Sequence, residues 1–409
     1  MKVFYICADV EIPVYGTEGS SIHIREFTNA MAAAGHDVTI FCPWLGGQRP
    51  ADMRAPVRLI EPHGLDAEAW RAIEGDPFVQ DHKLDRDLKS VLVNAWFQRQ
   101  VAEMAAGNPP DLIYERHSLF GWSGLDLARR HGIPFILEVN APIAQEQEEY
   151  DRFVLMRTSE RIEEQILRGA DALISVSAVA ADWLVSRGVP RERVTVIPNA
   201  VSRALFERRA DGARIRERFG LAGKRVVGFV GSFQLWHDVT SLIGAFDRVH
   251  ARHPDIHLLL VGQGPLKDEL AESAAARQLS ESVTFADSVP HAEIPDYLDA
   301  MDIVTAPYPQ WKKPFHGSPI KIFEYMAAGR PIVAAALGQI GDIIEHERTG
   351  LLYEPGDEQG LVNALERMLS DSAAAARMGA AARVEALSDY SWNAVVSKVL
   401  RIAQSLKRT

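Results

Sequence analysis

Cysteine is scarce in this chain: Cys7 and Cys42 are the only two. Each sits in an apolar, strand-like run ("KVFYICADV" and "VTIFCPW"). So sparse a set argues against a disulfide framework or a cysteine metal site, and both are expected as buried free thiols. No apolar run approaches the ~20 residues of a membrane-spanning helix. The opening "MKVFYICADVEIP" has one lysine and soon reaches Asp9, so a first strand is expected there and no secretory signal. The expected location is the cytoplasm, or the inner face of the membrane. Positive charge is also short: 44 Lys and Arg against 55 Asp and Glu give a net charge of −11. That argues against nucleic acid as a general partner and supplies no polybasic patch, leaving at most peripheral membrane contact. A Walker A loop, H-E-x-x-H, C-x-x-C and G-x-S-x-G are all missing. "FVGSFQ" and "VGQGPL" lack the full dinucleotide spacing, so a nicotinamide cofactor is a poor reading.

What is present has the balance of a soluble globular protein, 47% hydrophobic and 24% charged. At 409 residues it exceeds one ordinary core, so two domains are expected. Short β-type runs alternate with helical stretches throughout, the pattern of parallel α/β sheets. "KVFYICA", "DVTIFCP", "VRLIEP", "DLIYERH", "PFILEVN", "ALISVS" and "VTVIPNA" read as strands of a first domain over residues 1–198. "RVVGFVG", "IHLLLVGQG", "VTFADSV", "DIVTAPY" and "PIVAAA" read as strands of a second over 199–385. After "GLLYEPGD" only helices are expected, and the segment 386–409 is expected to pack back on the first domain. The fold class is α/β, two Rossmann-like doubly wound domains facing a central cleft, where ligands gather at the carboxyl ends of the strands.

The segment "FHGSPIKIFEYMAAGRPIVAA" (315–335) carries the sharpest chemistry. Ser318 reads as a helix N-cap and Pro319 as the first helical residue. Gly329 ends the helix and Pro331 forbids its return. Lys321 and Glu324 then share one face. A lysine at a helix start suits an anion, and a carboxylate one turn on suits a hydroxyl beside it, as in a phosphate next to a ribose. A solvated ion pair on an amphipathic helix reads equally from these residues alone. In "YGTEGSSIHIREF" (15–27), Gly16 and Gly19 permit close approach of a ligand, and Ser20 and Ser21 can cap the helix that follows. His23 there faces either the cleft or solvent. His117 in "YERHSLFGW" stands at a strand's carboxyl end, as a site residue or a structural one. Glu138 and Asn140 end the next strand, where they could hold sugar hydroxyls. In the second domain Gly231, Ser232, His237, Gly262 and Gly264 follow apolar strands, either as a ligand cradle or as ordinary turns.

Taken in order, these motifs resemble glycosyltransferase family 4, the retaining GT-B enzymes that use sugar nucleotides. The likeness runs from "GTEGSSIHIREF" through "VIPNAV", "FVGSF…WHD" and "MDIVTAPY" to "SPIKIFEYMAAGRPIVA" and "ERTGLLYEPGD". It implies a hexosyl transfer from a UDP- or GDP-linked donor to a small-molecule or lipid-linked acceptor hydroxyl. It implies no resident cofactor and no metal, the nucleotide sugar being a co-substrate. Glu324 matches the family's ribose-binding carboxylate. The donor side would further comprise Gly19, Ser20, Gly231, Ser232, His237, Gly262, Gly264, His316, Gly317, Ser318, Pro319 and Lys321. His117 would act in catalysis with Lys321, and His23, Glu138 and Asn140 would line the sugar and acceptor side. Two departures stand out. His316 replaces the first Glu of the family's E-x7-E pair, and Ser232 and His237 stand where an Arg and a Lys usually meet the diphosphate. Lys321 is then the expected source of the missing charge. A sugar-nucleotide epimerase on the same fold and a non-catalytic two-lobed sugar-binding protein are the competing readings.

Overall fold

The computed structural model describes residues 1–149 and 154–406. It divides into two compact units, Met1–Pro198 with the chain from Asn393 on, and Asn199–Trp392. The last crossover thus falls at 392/393, seven residues beyond the expected 385/386. The reason is local: helix Ser372–Asp389 is tied into the second unit. Its Arg383 donates to the carbonyls of Ala327 and Phe206, and Gly379 packs so tightly on Gly329 that a Cβ there would lie 2.3 Å from the Gly329 carbonyl oxygen.

In the first unit seven parallel strands form one sheet. They are β1 (Lys2–Cys7), β2 (Asp37–Cys42), β3 (Val57–Leu59), β4 (Leu112–Arg116), β5 (Phe135–Val139), β6 (Ala172–Ser175) and β7 (Val194–Val196). Their spatial order is β3-β2-β1-β4-β5-β6-β7. β1, β4, β5 and β6 are buried almost throughout, as strands covered on both faces must be. Cys7 and Cys42 are buried free thiols at the ends of β1 and β2.

The second unit repeats the plan with β8 (Arg225–Val230), β9 (Ile256–Val261), β10 (Val283–Ala286), β11 (Ile303–Ala306), β12 (Ile332–Ala335) and β13 (Leu351–Tyr353), in the order β10-β9-β8-β11-β12-β13. β13 is the strand that sequence reading passes over: three residues at a sheet edge, inside a segment read as the approach to helices. Each sheet grows outward in one direction and then restarts on the other side of its first strand. The reversals fall between β1 and β4 and between β8 and β11, and the crevice outside the carboxyl ends at such a reversal is where open α/β sheets bind ligands.

Candidate active site

In the first unit, the carboxyl ends of β4 and β5 meet the helix Gly19–Ala33 around one carboxylate. Glu138 is 2% exposed. Its Oε2 accepts from Tyr114 Oη and lies 2.9 Å from His23 Nε2, while Oε1 accepts from Arg116 at 2.9 Å and from Asn140 at 2.7 Å. Burial alone would push the Glu138 pKa up, but His23, Arg116 and Tyr114 outweigh it and hold the carboxyl well below its usual range. Both oxygens are taken, so the geometry makes Glu138 an internal clamp rather than a group reaching for a sugar. Half-buried Asn140 donates one amide hydrogen to the same clamp. His23 is buried and turns inward to it.

The loop before this helix differs from expectation as well. The helix begins at Gly19, ahead of both serines, with Glu18 at its N-cap and no side-chain cap. Ser21 donates to the Pro13 carbonyl at 2.6 Å. A Cβ on Gly16 would meet Pro13 and Ser21 at 2.7 Å, whereas one on Gly19 would meet nothing within 4 Å. Gly16 therefore serves the turn, and Gly19 leaves the helix start open.

His117 follows β4 directly and is 4% exposed. Its Nε2 lies 3.5 Å from Glu163, and its Nδ1 has no hydrogen-bond partner of good geometry among the described residues. Burial drives its pKa down to about 4, against an opposing pull from the Ala141 backbone, so the imidazole is neutral at physiological pH.

In the second unit the site forms at β8 and β11. Gly231 (φ +150°) and Gly262 (φ +147°) are packed back to back: a Cβ on Gly262 would lie 2.0 Å from the Gly231 carbonyl oxygen. Gly264 is pressed equally hard on the Phe233 backbone. These glycines let two strand ends approach, and only Gly231 also faces a charged group. A Cβ there would lie 2.5 Å from Lys321 Nζ.

Lys321 belongs to the helix Ile320–Ala327. Its stem is partly exposed, but Nζ is closed off from solvent and makes no hydrogen bond to any described residue. It sits 4.4 Å from the centre of the Phe229 ring and 5.9 Å from that of Tyr308. Burial lowers its pKa from 10.5 to about 7, while Glu324 pulls the other way. His237 stands edge-on to the same two rings and is bound through Nδ1 to the Ser232 carbonyl at 2.6 Å. Burial first, and the Lys321 charge second, take its pKa down to about 3. His237 is thus neutral, and among the described residues at this turn Lys321 is the group that can carry positive charge.

Glu324 sits one turn beyond Lys321, 6% exposed, with His291 Nε2 2.7 Å from its Oε1. His291 is a site residue that sequence reading missed; its only signal is a position in the loop beyond β10. Tyr325 is another. Its hydroxyl accepts from the Val230 N–H at 2.8 Å and donates back to the Val230 carbonyl, which fixes the helix against the end of β8. Ser318 does not cap the helix. Pro319 holds the N-cap position, and Ser318 Oγ instead accepts from the Asn199 N–H at 3.0 Å. His316 is buried, and a Cβ on Gly317 would press on the Phe315 ring at 2.9 Å. Arg330 lies past the far end of the same helix, on the carbonyls of Ala328 and Met301, and is no part of this cluster.

Comparison with known proteins divides between residues 205 and 224, shortly after the fold's 198/199 boundary. Residues 17–205 match the family described as Glycosyltransferase Family 4, and residues 224–371 match Glycosyl transferases group 1. A glycogen synthase of Mycobacterium tuberculosis is 26% identical over 97% of this chain and 94% of its own length. The MMP alpha-(1->4)-mannosyltransferase of Mycolicibacterium hassiacum is 26% identical over 94% of both. Among solved structures, Anabaena HepE in complex with UDP and glucose superposes with a TM-score of 0.75 at 19% identity, over 99% of this chain and 100% of that one. With a family match in each unit and a fold shared along its whole length, the chain belongs to glycosyltransferase family 4 and has the GT-B fold.

Proposed function

We propose that this enzyme moves a hexose from a UDP- or GDP-linked donor to the hydroxyl of a small-molecule or lipid-linked acceptor, with retention of anomeric configuration. The observation that carries the reading is Lys321: a buried amine with no anionic partner in hydrogen-bonding reach among the described residues, at a helix start, beside a glycine that leaves room for it. Such a group is complete only when an anion arrives. Lys321 and the free N–H groups of its helix bind the donor diphosphate and stabilise the charge that develops as it leaves. Glu324 takes the ribose hydroxyls while His291 holds its other face. The open helix start at Gly19 suits phosphate oxygens too. The bound UDP of the HepE complex supports a uridine nucleotide as the first donor to try.

The transfer itself needs one bond made and one broken. The acceptor oxygen bonds to the anomeric carbon on the face from which the diphosphate departs, the carbon–phosphate oxygen bond breaks, and the acceptor proton passes to that oxygen. Neutral His117, whose Nδ1 has no well-aligned hydrogen-bond partner among the described residues, orients a sugar or acceptor hydroxyl. No covalent sugar–enzyme intermediate is required, and Glu138, with both oxygens occupied, is not placed to form one. The scheme uses no metal: the diphosphate's charge is met by Lys321 and the helix N–H groups. No described helix is long and apolar enough to cross a membrane, so a lipid-linked acceptor would be met at a surface.

The test begins with thermal shift against UDP, GDP and their hexose conjugates. A ligand at 100 times its Kd should stabilise by about 2.7 kcal/mol. Product stereochemistry by NMR and turnover in EDTA follow. Failure of every nucleotide to bind, an inverted linkage, or loss of activity in EDTA would each overturn the corresponding part.

A further inference from the structure

The turn that carries His117 is built under strain, and a buried acid lies beneath it. Phe120 has φ +54° while 2% exposed, a left-handed conformation that bulky side chains rarely hold. Packing accounts for how it persists: Leu119 and Phe120 are locked into a small apolar cluster with Ala144, Trp122, Ile143, Leu155 and Ile162. Below the turn, Glu115 is wholly buried on the face of β4 opposite Tyr114 and Arg116. Neither carboxyl oxygen meets a hydrogen-bond partner of good geometry among the described residues, and the same holds for the buried hydroxyls of Ser118 and Ser123. Glu115 and Ser118 converge on two glycines. A Cβ on Gly121 would lie 2.8 Å from Ser118 Oγ and 3.2 Å from Glu115 Oε1; one on Gly124 would lie 2.0 Å from Glu115 Oε2. Gly121 closes the strained turn, and Gly124 lies in the first turn of helix Ser123–His131, which has no side-chain cap.

Buried polar groups without well-aligned hydrogen bonds are costly, and so many in one place marks a site where something other than stability is served. We propose that Glu115 is the positioning residue of His117. Wedged between the 117–121 turn and the start of the following helix, its carboxyl group holds that turn in the strained form that fixes the imidazole. Burial raises the Glu115 pKa to about 8, against an opposing pull from the Gly124 backbone N–H, so the group is a neutral acid, able to donate as well as accept. The inference rests on the assignment of His117 to the reaction.

Two variants that keep the site polar test it. Glu115→Gln preserves length and neutrality; Glu115→Asp withdraws the group by one methylene. In 15N-histidine spectra, with the His117 signal assigned by its loss in His117→Ala, Glu115→Gln should leave the low titration midpoint in place. Glu115→Asp should move it upward toward 6.5. Turnover, followed as UDP release from UDP-glucose, should fall about tenfold or more in Glu115→Asp and stay within about threefold in Glu115→Gln. Placed on His117→Ala, Glu115→Asp should cost nothing further, since it acts through the missing ring. An unmoved His117 signal in Glu115→Asp, or a further tenfold loss in the double variant, overturns the inference while leaving the His117 assignment standing. Full turnover of His117→Ala removes that assignment and the inference with it.

Discussion

The two units carry buried ionisable groups of opposite condition, and the contrast separates structure from chemistry. In the first, Glu138 is ringed by His23, Tyr114, Arg116 and Asn140, with no valence left. In the second, Lys321 Nζ is closed off against two aromatic rings and makes no hydrogen bond to any described residue. A buried charge that is fully partnered holds its surroundings in place, and removing one partner exposes the full cost of burial. A buried charge without a partner destabilises the resting fold, and is kept only if a ligand completes it. Variants at the two sites should therefore move stability and binding in opposite senses.

The largest effect is expected at the saturated site. Arg116→Leu leaves Glu138 buried and ionised with its guanidinium partner gone, a change worth about 3–5 kcal/mol. Denaturant unfolding of the first unit should show it, with nucleotide affinity unaltered. A loss under about 1 kcal/mol would mean that the clamp is not the closed network described.

Next comes Lys321→Met. A charge-assisted contact to a diphosphate is worth roughly 1.5–3 kcal/mol, so UDP or GDP should bind about 10- to 150-fold more weakly by calorimetry. Thermal stability should hold or rise, because an unpaired ammonium has been replaced by an apolar chain of similar length. If stability falls and affinity is kept, Lys321 is a structural residue and the comparison collapses.

Legibility in the sequence follows how far apart the partners lie. Lys321 and Glu324 could be read because both sit on one short helix with a glycine stop. The strands could be read because they are apolar runs between turn signals. The clamp around Glu138 could not: His23 is 115 residues away, and Arg116 reaches Glu138 only through the β4–β5 register. Strand pairing would have exposed that cross-strand pair; periodicity does not. Ser318 misled for the same reason, since the Asn199 N–H that takes its hydroxyl lies 119 residues earlier. His291 is 33 residues from Glu324 and stands in a loop that carries no pattern.

The Lys321 contrast also has a pH signature. Its pKa is lowered in the free fold to about 7, so between there and 10.5 the unfolded chain holds the proton and the folded chain does not. Stability should accordingly rise with pH across that window, because unfolding takes up a proton. Binding runs the other way. An anion favours the ammonium, so nucleotide affinity should fall as pH climbs above 7, by up to about tenfold per unit, with one proton taken up on binding. Calorimetry in buffers of different ionisation enthalpy measures that uptake directly. Neutral His237 contributes no charge change here, its pKa lying near 3. A flat affinity profile from pH 7 to 9 in the wild type would show that Lys321 is already charged before the nucleotide arrives.

The smallest effect concerns His291, which gives the second unit a partial version of the first unit's clamp. Glu324 has one strong contact at Oε1 and keeps the rest of its acceptor capacity, midway between saturated Glu138 and unpartnered Lys321. If that contact only steers the carboxylate toward a ribose, His291→Ala should weaken nucleotide binding by the value of one ordinary hydrogen bond, about 0.5–1.5 kcal/mol, or roughly 2- to 12-fold. The free protein should barely change in stability, since Glu324 can swing toward water once released. His291→Gln, which can still donate to Oε1, should restore most of the loss. Tighter binding in His291→Ala would reverse the assignment: His291 would then be occupying Glu324 in competition with the ligand, and the second unit would hold a latch where the geometry indicates a guide.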